Sequence, residues 1–128
     1  MIKQSMTIFY VSDQKTSKSF YGKVFGLTPS LDVPGMSEFQ LGDGMTFGLM
    51  PQSGIKNLLG KECFHDETPM SPQAELYILV DDAQVYLDRA LNAGASPLLP
   101  LELRDWGHKV AYCLDPDAHV LAFAETEK

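Results

Sequence analysis

Apolar and polar positions along the chain change period at a few sharp points, and those points divide it into two similar halves. Residues 6–11 form an apolar run of strand-favouring types that ends at Ser12-Asp13. The spacing then becomes helical. Ser19, Phe20, Val24 and Phe25 recur on one face until Gly26, with Asp13 or Ser12 placed to cap the first N–H groups and Gly26 to stop the last turn. Strands are predicted next over 28–33, 38–41 and 45–50, and Gly42-Asp43-Gly44 carries a hairpin signal between the last two.

Residues 51–72 hold Pro51, Pro69 and Pro72 with Gly54 and Gly60 between them and little periodicity, so they read as a long connection. After it the pattern restarts. Residues 75–80 predict a strand, Asp81-Asp82 a cap, Val85, Leu87, Ala90 and Leu91 a helical stripe, and Asn92-Ala93-Gly94 a stop. Further strands are predicted over 96–99, 110–114 and 120–124.

Set against each other, the halves agree: Val11-Ser12-Asp13 matches Val80-Asp81-Asp82 and Gly26 matches Gly94, at an offset of about 68 to 69 residues. Asp43-Gly44-Met45-Thr46-Phe47-Gly48-Leu49 matches Asp117-Ala118-His119-Val120-Leu121-Ala122-Phe123 at a slightly larger one. The expected fold is α+β: two tandem βαβββ modules in one domain spanning 1–128, the first at about 1–51, the linker at about 52–72 and the second at about 73–128. One helix covers only one face of its sheet. With helices outside, the inner faces of two curled mixed sheets can enclose a cavity, or they can simply pack into a core.

Composition narrows the function. At 128 residues and 45% hydrophobic content the chain can bury a core without disulfides or metal. Its formal charge of -7 argues against a surface that tracks phosphates, so no nucleic-acid partner is expected. Cys63 and Cys113 have no metal or redox spacing and are expected to be reduced. No apolar run suggests a secretion signal or a membrane span, so no membrane partner is expected and the cytoplasm is the expected location.

Several of these segments resemble the vicinal oxygen chelate superfamily, which includes glyoxalase I, extradiol dioxygenases and the bleomycin-resistance proteins. The carriers are Phe9-Tyr10-Val11-Ser12-Asp13 leading to Ser19-Phe20-Tyr21-Gly22-Lys23-Val24-Phe25-Gly26-Leu27, then Val80-Asp81-Asp82 leading to Gly94-Ala95, then Trp106-Gly107 and Asp115-Pro116-Asp117-Ala118-His119. These segments set geometry and say little about chemistry. In metal-using members the resemblance places donors on the first and last strand of each module, here Met6, Glu75, Gly48 and Ala122. Gly48 and Ala122 have no donor, and Met6 offers a thioether ill-suited to a hard divalent ion. Glu75 alone remains. No metal site and no cofactor are therefore expected, and the resemblance is nearest to the metal-free, bleomycin-resistance-like members.

By strand alternation Met6, Ile8, Tyr10, Gly48 and Met50 share an inward face with Glu75, Tyr77 and Ala122. With Trp106, which the resemblance sets at a cavity rim, they are the candidate ligand-binding residues for an apolar or cationic small organic molecule in a half-barrel cavity. Glu75 is the candidate catalytic group, a general base or a cation anchor, against a strand-edge carboxylate satisfied by Arg104 or a backbone donor. His119 reads as a turn-flanking surface histidine, while the phase of His108 leaves pocket mouth and solvent both open. Cys63-Phe64-His65-Asp66-Glu67 reads as a solvated loop that could cover the cavity, and Gly42-Asp43-Gly44 as a turn, not a phosphate cradle. The expected function is a metal-independent binding protein; the alternative is a metal-dependent lyase, isomerase or dioxygenase. The resemblance also implies a homodimer.

Overall fold

A computed structural model of the chain describes residues 1–60 and 72–127. In chain order the elements are β1 (Ser5–Val11), α1 (Gln14–Phe25), β2 (Leu31–Val33), β3 (Met36–Gly42), β4 (Met45–Pro51), α2 (Gln52–Leu59), β5 (Glu75–Leu79), α3 (Ala83–Asn92), β6 (Ser96–Leu103), β7 (His108–Leu114) and β8 (Val120–Thr126). The chain divides into two compact units, one built on β1 to α2 and one on β5 to β8. Each carries a four-stranded mixed sheet, ordered β1-β4-β3-β2 in the first and β5-β8-β7-β6 in the second. In both, the first and last strands of the βαβββ unit run parallel and the remaining neighbours antiparallel. The fold is α+β with two βαβββ modules, as the repeat predicts.

Register makes the duplication concrete. Met6, Ile8 and Tyr10 lie opposite Thr46, Gly48 and Met50. Their counterparts Glu75, Tyr77 and Leu79 lie opposite Val120, Ala122 and Ala124. The next pair of strands agrees too: Glu38 and Phe39 oppose Gly48 and Phe47, while Tyr112 and Cys113 oppose Ala122 and Leu121. A one-residue slip would turn every side chain to the other face, so equal register means equal faces.

The same chemistry starts and stops both main helices. The Asp13 carboxylate accepts the Thr16 N–H at 3.1 Å, and that of Asp82 accepts the Val85 N–H at 3.4 Å, each satisfying a donor the first turn leaves free. At the other ends Gly26 and Gly94 take φ of 67° and 111°, where a side chain would clash. There Leu27 N–H reaches the Gly22 carbonyl at 3.2 Å and Ala95 N–H the Ala90 carbonyl at 2.9 Å.

Within the first module, Phe9 and Val11 of β1, Phe39 of β3 and Phe47 and Leu49 of β4 are buried, as is Tyr21 of α1. Phe47 meets Phe9 edge-on at 5.0 Å and Tyr21 at 4.8 Å, which fixes the helix against this face. Polar ties add direction: Lys18 Nζ stands 2.8 Å from the Asp32 carboxylate, and Gln14 Nε2 donates to the Val33 carbonyl and to Ser37 Oγ. In the second module Ala83, Leu87 and Ala90 of α3 are buried with Leu121, Phe123, Ala111 and Cys113, and the Tyr86 ring lies 6.0 Å from that of Phe123. Each module therefore has one sheet face under its helix. The opposite face of each sheet is its open face.

Several boundaries differ from the sequence reading. Residues 52–59, read as irregular connection, form α2, because Pro51 ends β4 with its φ of -65° and Ile55, Leu58 and Leu59 then recur at helical spacing, with Ile55 buried. Residues 61–71, including Cys63, His65, Asp66 and Glu67 of the expected covering loop, lie outside the described residues. β6 continues to Leu103 past Pro100, where the prediction ends at 99, because β6 is an edge strand and a missing N–H there breaks no ladder bond. β2 is shorter than predicted, beginning at Leu31, and β3 and β7 are longer, beginning at Met36 and His108.

Candidate functional site

On the open face of the first module, Met6, Ile8 and Tyr10 from β1 stand beside Gly48 and Met50 from β4, with Met36 of β3 completing the row. Met6 is 41% exposed and Ile8 and Tyr10 are both 37% exposed, large values for apolar strand residues. Gly48 has a packing reason. A Cβ there would stand 3.3 Å from Ile8 Cγ1, 3.3 Å from Met36 Sδ and 3.7 Å from Met6 Sδ. Glu38 stands opposite Gly48 on this face, and the Thr46 hydroxyl, opposite Met6, is occupied by Gln4 and Gln40, each at 3.2 Å.

The open face of the second module is built differently. Alternation sets Glu75, Tyr77 and Leu79 of β5 on the same side as Ala122 and Ala124 of β8 and Val110 and Tyr112 of β7. Val110, Ala122 and Ala124 form a small apolar floor against which Tyr112 packs. Polar side chains ring that floor. Trp106 Nε1 donates to the Tyr77 hydroxyl at 3.0 Å, and that hydroxyl lies 2.6 Å from His108 Nδ1. The His108 and Tyr77 rings are 6.0 Å apart and tilted by 35°. Of the two phases left open by the sequence, His108 takes the one facing this cluster. Trp106 is half exposed, so it does not plug a core.

Burial holds the Tyr112 phenol above its ordinary value, the Glu75 carboxylate and Tyr77 push it the same way, and Arg104 opposes them. Arg104 is committed elsewhere. Its Nη2 donates to the Pro100 and Val110 carbonyls at 2.8 and 2.9 Å, its Nε donates to Val110 at 3.2 Å, and its guanidinium lies 5.6 Å over the Tyr112 ring. The ion pair of Arg104 is with Glu102, at 3.6 Å. The Glu75 side chain is exposed and, among the described residues, its carboxylate makes no hydrogen bond or ion pair, so Arg104 does not satisfy it. His119 belongs to a turn: its ring nitrogen lies 2.8 Å from the Asp115 carboxylate.

The four positions where the resemblance implies metal donors have surroundings that bear on whether they could hold an ion. Met6 and Gly48 lie on one open face and Glu75 and Ala122 on the other, with one oxygen donor among the four. The space a longer side chain at Gly48 would need is taken by Ile8 and Met36, and Ala122 is fully buried in the apolar floor. This donor set does not fit a divalent metal. Among the described residues no group of three His, Cys, Asp or Glu side chains is placed to hold one.

Sequence reasoning missed Met36, which precedes the predicted strand, and Tyr112, although Tyr112 alternates with Val110 and Leu114 and so could have been assigned to this face.

Residues 4–127 match the family described as glyoxalase-like domain. No protein of curated function matches the chain. Among solved structures, a glyoxalase-related enzyme from Fulvimarina pelagi is 22% identical with a TM-score of 0.82, over 98% of this chain and 89% of that one. A glyoxalase/bleomycin resistance protein/dioxygenase family enzyme from Burkholderia phytofirmans PsJN is 18% identical with a TM-score of 0.82, over 96% and 98%. A glyoxalase/bleomycin resistance protein from Albidiferax ferrireducens T118 is 17% identical with a TM-score of 0.73, over 96% and 98%. At these identities the likeness is one of fold.

Proposed function

This chain belongs to the glyoxalase-like domain family of the vicinal oxygen chelate superfamily, and from that premise we propose that it is a metal-independent binding protein for a planar, apolar or cationic organic molecule. One observation carries the reading: at the four positions where the resemblance implies metal donors stand Met6, Gly48, Glu75 and Ala122, and the room beside Gly48 is filled by Ile8 and Met36. Donors that do not converge at those positions give the described residues no place to hold a Lewis acid against a substrate. What the second module carries is a half-exposed indole, two phenols and a carboxylate without an ion pair among the described residues, around an apolar floor, a combination suited to stacking and to attracting positive charge. Glu75 is the cation anchor in this reading. The proposal extends to a homodimer located in the cytoplasm; among the described residues no helix is long and apolar enough to cross a membrane.

Trp106 is the only tryptophan, so its fluorescence reports this face alone. Titration with 1-methylnicotinamide, a planar cation, is expected to give saturable static quenching that EDTA leaves unchanged, weakened in Glu75→Gln, with the probe recovered intact. Stoichiometric bound metal whose removal abolishes the quenching, or conversion of the probe, would overturn the proposal.

A further inference from the structure

The three polar groups Trp106, Tyr77 and His108 form a directed chain, and its direction can be deduced. An indole N–H only donates, so the Tyr77 oxygen is the acceptor at 3.0 Å. The phenol has one hydrogen of its own, and its other close neighbour is His108 Nδ1 at 2.6 Å. If Nδ1 carried a proton, the phenol oxygen would accept twice, and its hydrogen would have no acceptor among the described residues. Donation from the phenol to a bare Nδ1 uses every atom once. In the neutral ring that places the proton on Nε2. Nε2 points away from Tyr77 and has no hydrogen-bond partner among the described residues, and the ring belongs to the open face through its register with Thr126.

We propose that His108 is a ligand-binding residue that presents an Nε2–H donor to a carbonyl-type oxygen of the bound molecule, with Tyr77 and Trp106 positioning the ring and fixing its tautomer. The inference rests on the binding reading above and sharpens it: the ligand is a planar ring carrying a hydrogen-bond acceptor, stacked within reach of Trp106. A donor held in one tautomer before binding loses less freedom on binding than one that must be selected from two. His108 therefore acts as a selector, favouring rings that bear a carbonyl over otherwise equal rings that lack one.

The test uses the whole 128-residue chain and a matched pair of probes, 1-methylnicotinamide, which carries a carboxamide, and 1-methylpyridinium, which does not. Long-range proton–nitrogen spectra of His108 at pH 8 are expected to show the Nε2–H form, and Tyr77→Phe to shift the ring toward a mixture. By Trp106 quenching, the wild-type protein is expected to prefer the carboxamide probe by about tenfold. His108→Phe should reduce that ratio to about one while both probes still bind, and His108→Gln, which keeps a side-chain N–H, should retain part of it. A protonated Nδ1, or equal affinity of wild type for the two probes, overturns this inference and leaves the binding proposal standing. Failure of both probes to bind overturns both.

Discussion

Gly44 and Ala118 occupy the same turn position in the two modules, with φ of 70° and 66°. The first is a glycine, for which this backbone costs nothing steric; the second is the one non-glycine residue with positive φ among those described. Ala118→Gly is therefore expected to stabilise the protein by about 0.5–1 kcal/mol, the relief of strain exceeding the added freedom of the unfolded chain. Gly44→Ala should cost about 1 kcal/mol by the same reasoning, since a Cβ there meets only ordinary contact with the Lys3 carbonyl at 3.9 Å. Urea midpoints of both variants check the pair, and an unchanged midpoint for Ala118→Gly would count against the strain argument.

The turn that holds Ala118 is tied together by Asp115. Its buried carboxylate accepts the Asp117 and His119 backbone N–H groups, both at 2.8 Å, and lies 2.8 Å from the His119 ring. Asp115→Ala leaves those two N–H groups to find other partners and is expected to cost about 2–4 kcal/mol. His119→Ala removes one partner of a group that keeps its backbone bonds, and about 1 kcal/mol is expected. If the two variants were equally destabilised, the carboxylate would not be the organising group.

Arg104 joins β6 to β7 where their register shifts between Leu99 and Glu102, through the Pro100 and Val110 carbonyls. A lysine supplies the charge but not the planar fork that reaches both carbonyls, so Arg104→Lys is expected to lose about 1–2 kcal/mol. Hydrogen exchange should then speed up along β6, with α1 and β1 unaffected.

Cys113 is fully buried, and burial first, then the neighbouring Asp115, pushes its thiol from 9.0 up to about 11. The folded state keeps a proton there that the unfolded chain sheds earlier. Its contribution to stability is full below pH 9, declines as pH rises from 9 toward 11, and amounts to about 2–3 kcal/mol in all. Denaturation at pH 8 and 10.5 should show a smaller alkaline loss in Cys113→Ala than in wild type, and a thiol reagent should react with native Cys113 at the rate of unfolding.

The α+β repeat was legible because strand, cap and glycine stop each leave a local mark: Asp13 and Asp82 cap, Gly26 and Gly94 end, and Met6, Ile8 and Tyr10 alternate to one face as expected. What escaped reading depended on neighbours distant in sequence. β6 passes Pro100 because, among the described residues, it is the edge strand of its sheet, a fact fixed by sheet order. α2 was hidden by averaging over a proline-rich stretch whose first eight residues alone are periodic. In the candidate site, Tyr77 and Trp106 could be named one by one, but their bond through one hydroxyl to His108 joins positions 29 and 31 residues apart. The commitment of Arg104 to carbonyls instead of Glu75 was equally invisible, because backbone acceptors carry no signature in sequence.

The common register also has a practical use. Each position on the open face of the second module has a twin in the first: Ile8 for Tyr77, Gly48 for Ala122, Glu38 for Tyr112. A change made at both twins separates the burden it places on backbone geometry, common to the pair, from any effect on chemistry that belongs to one half. The molecule thereby supplies its own control experiment.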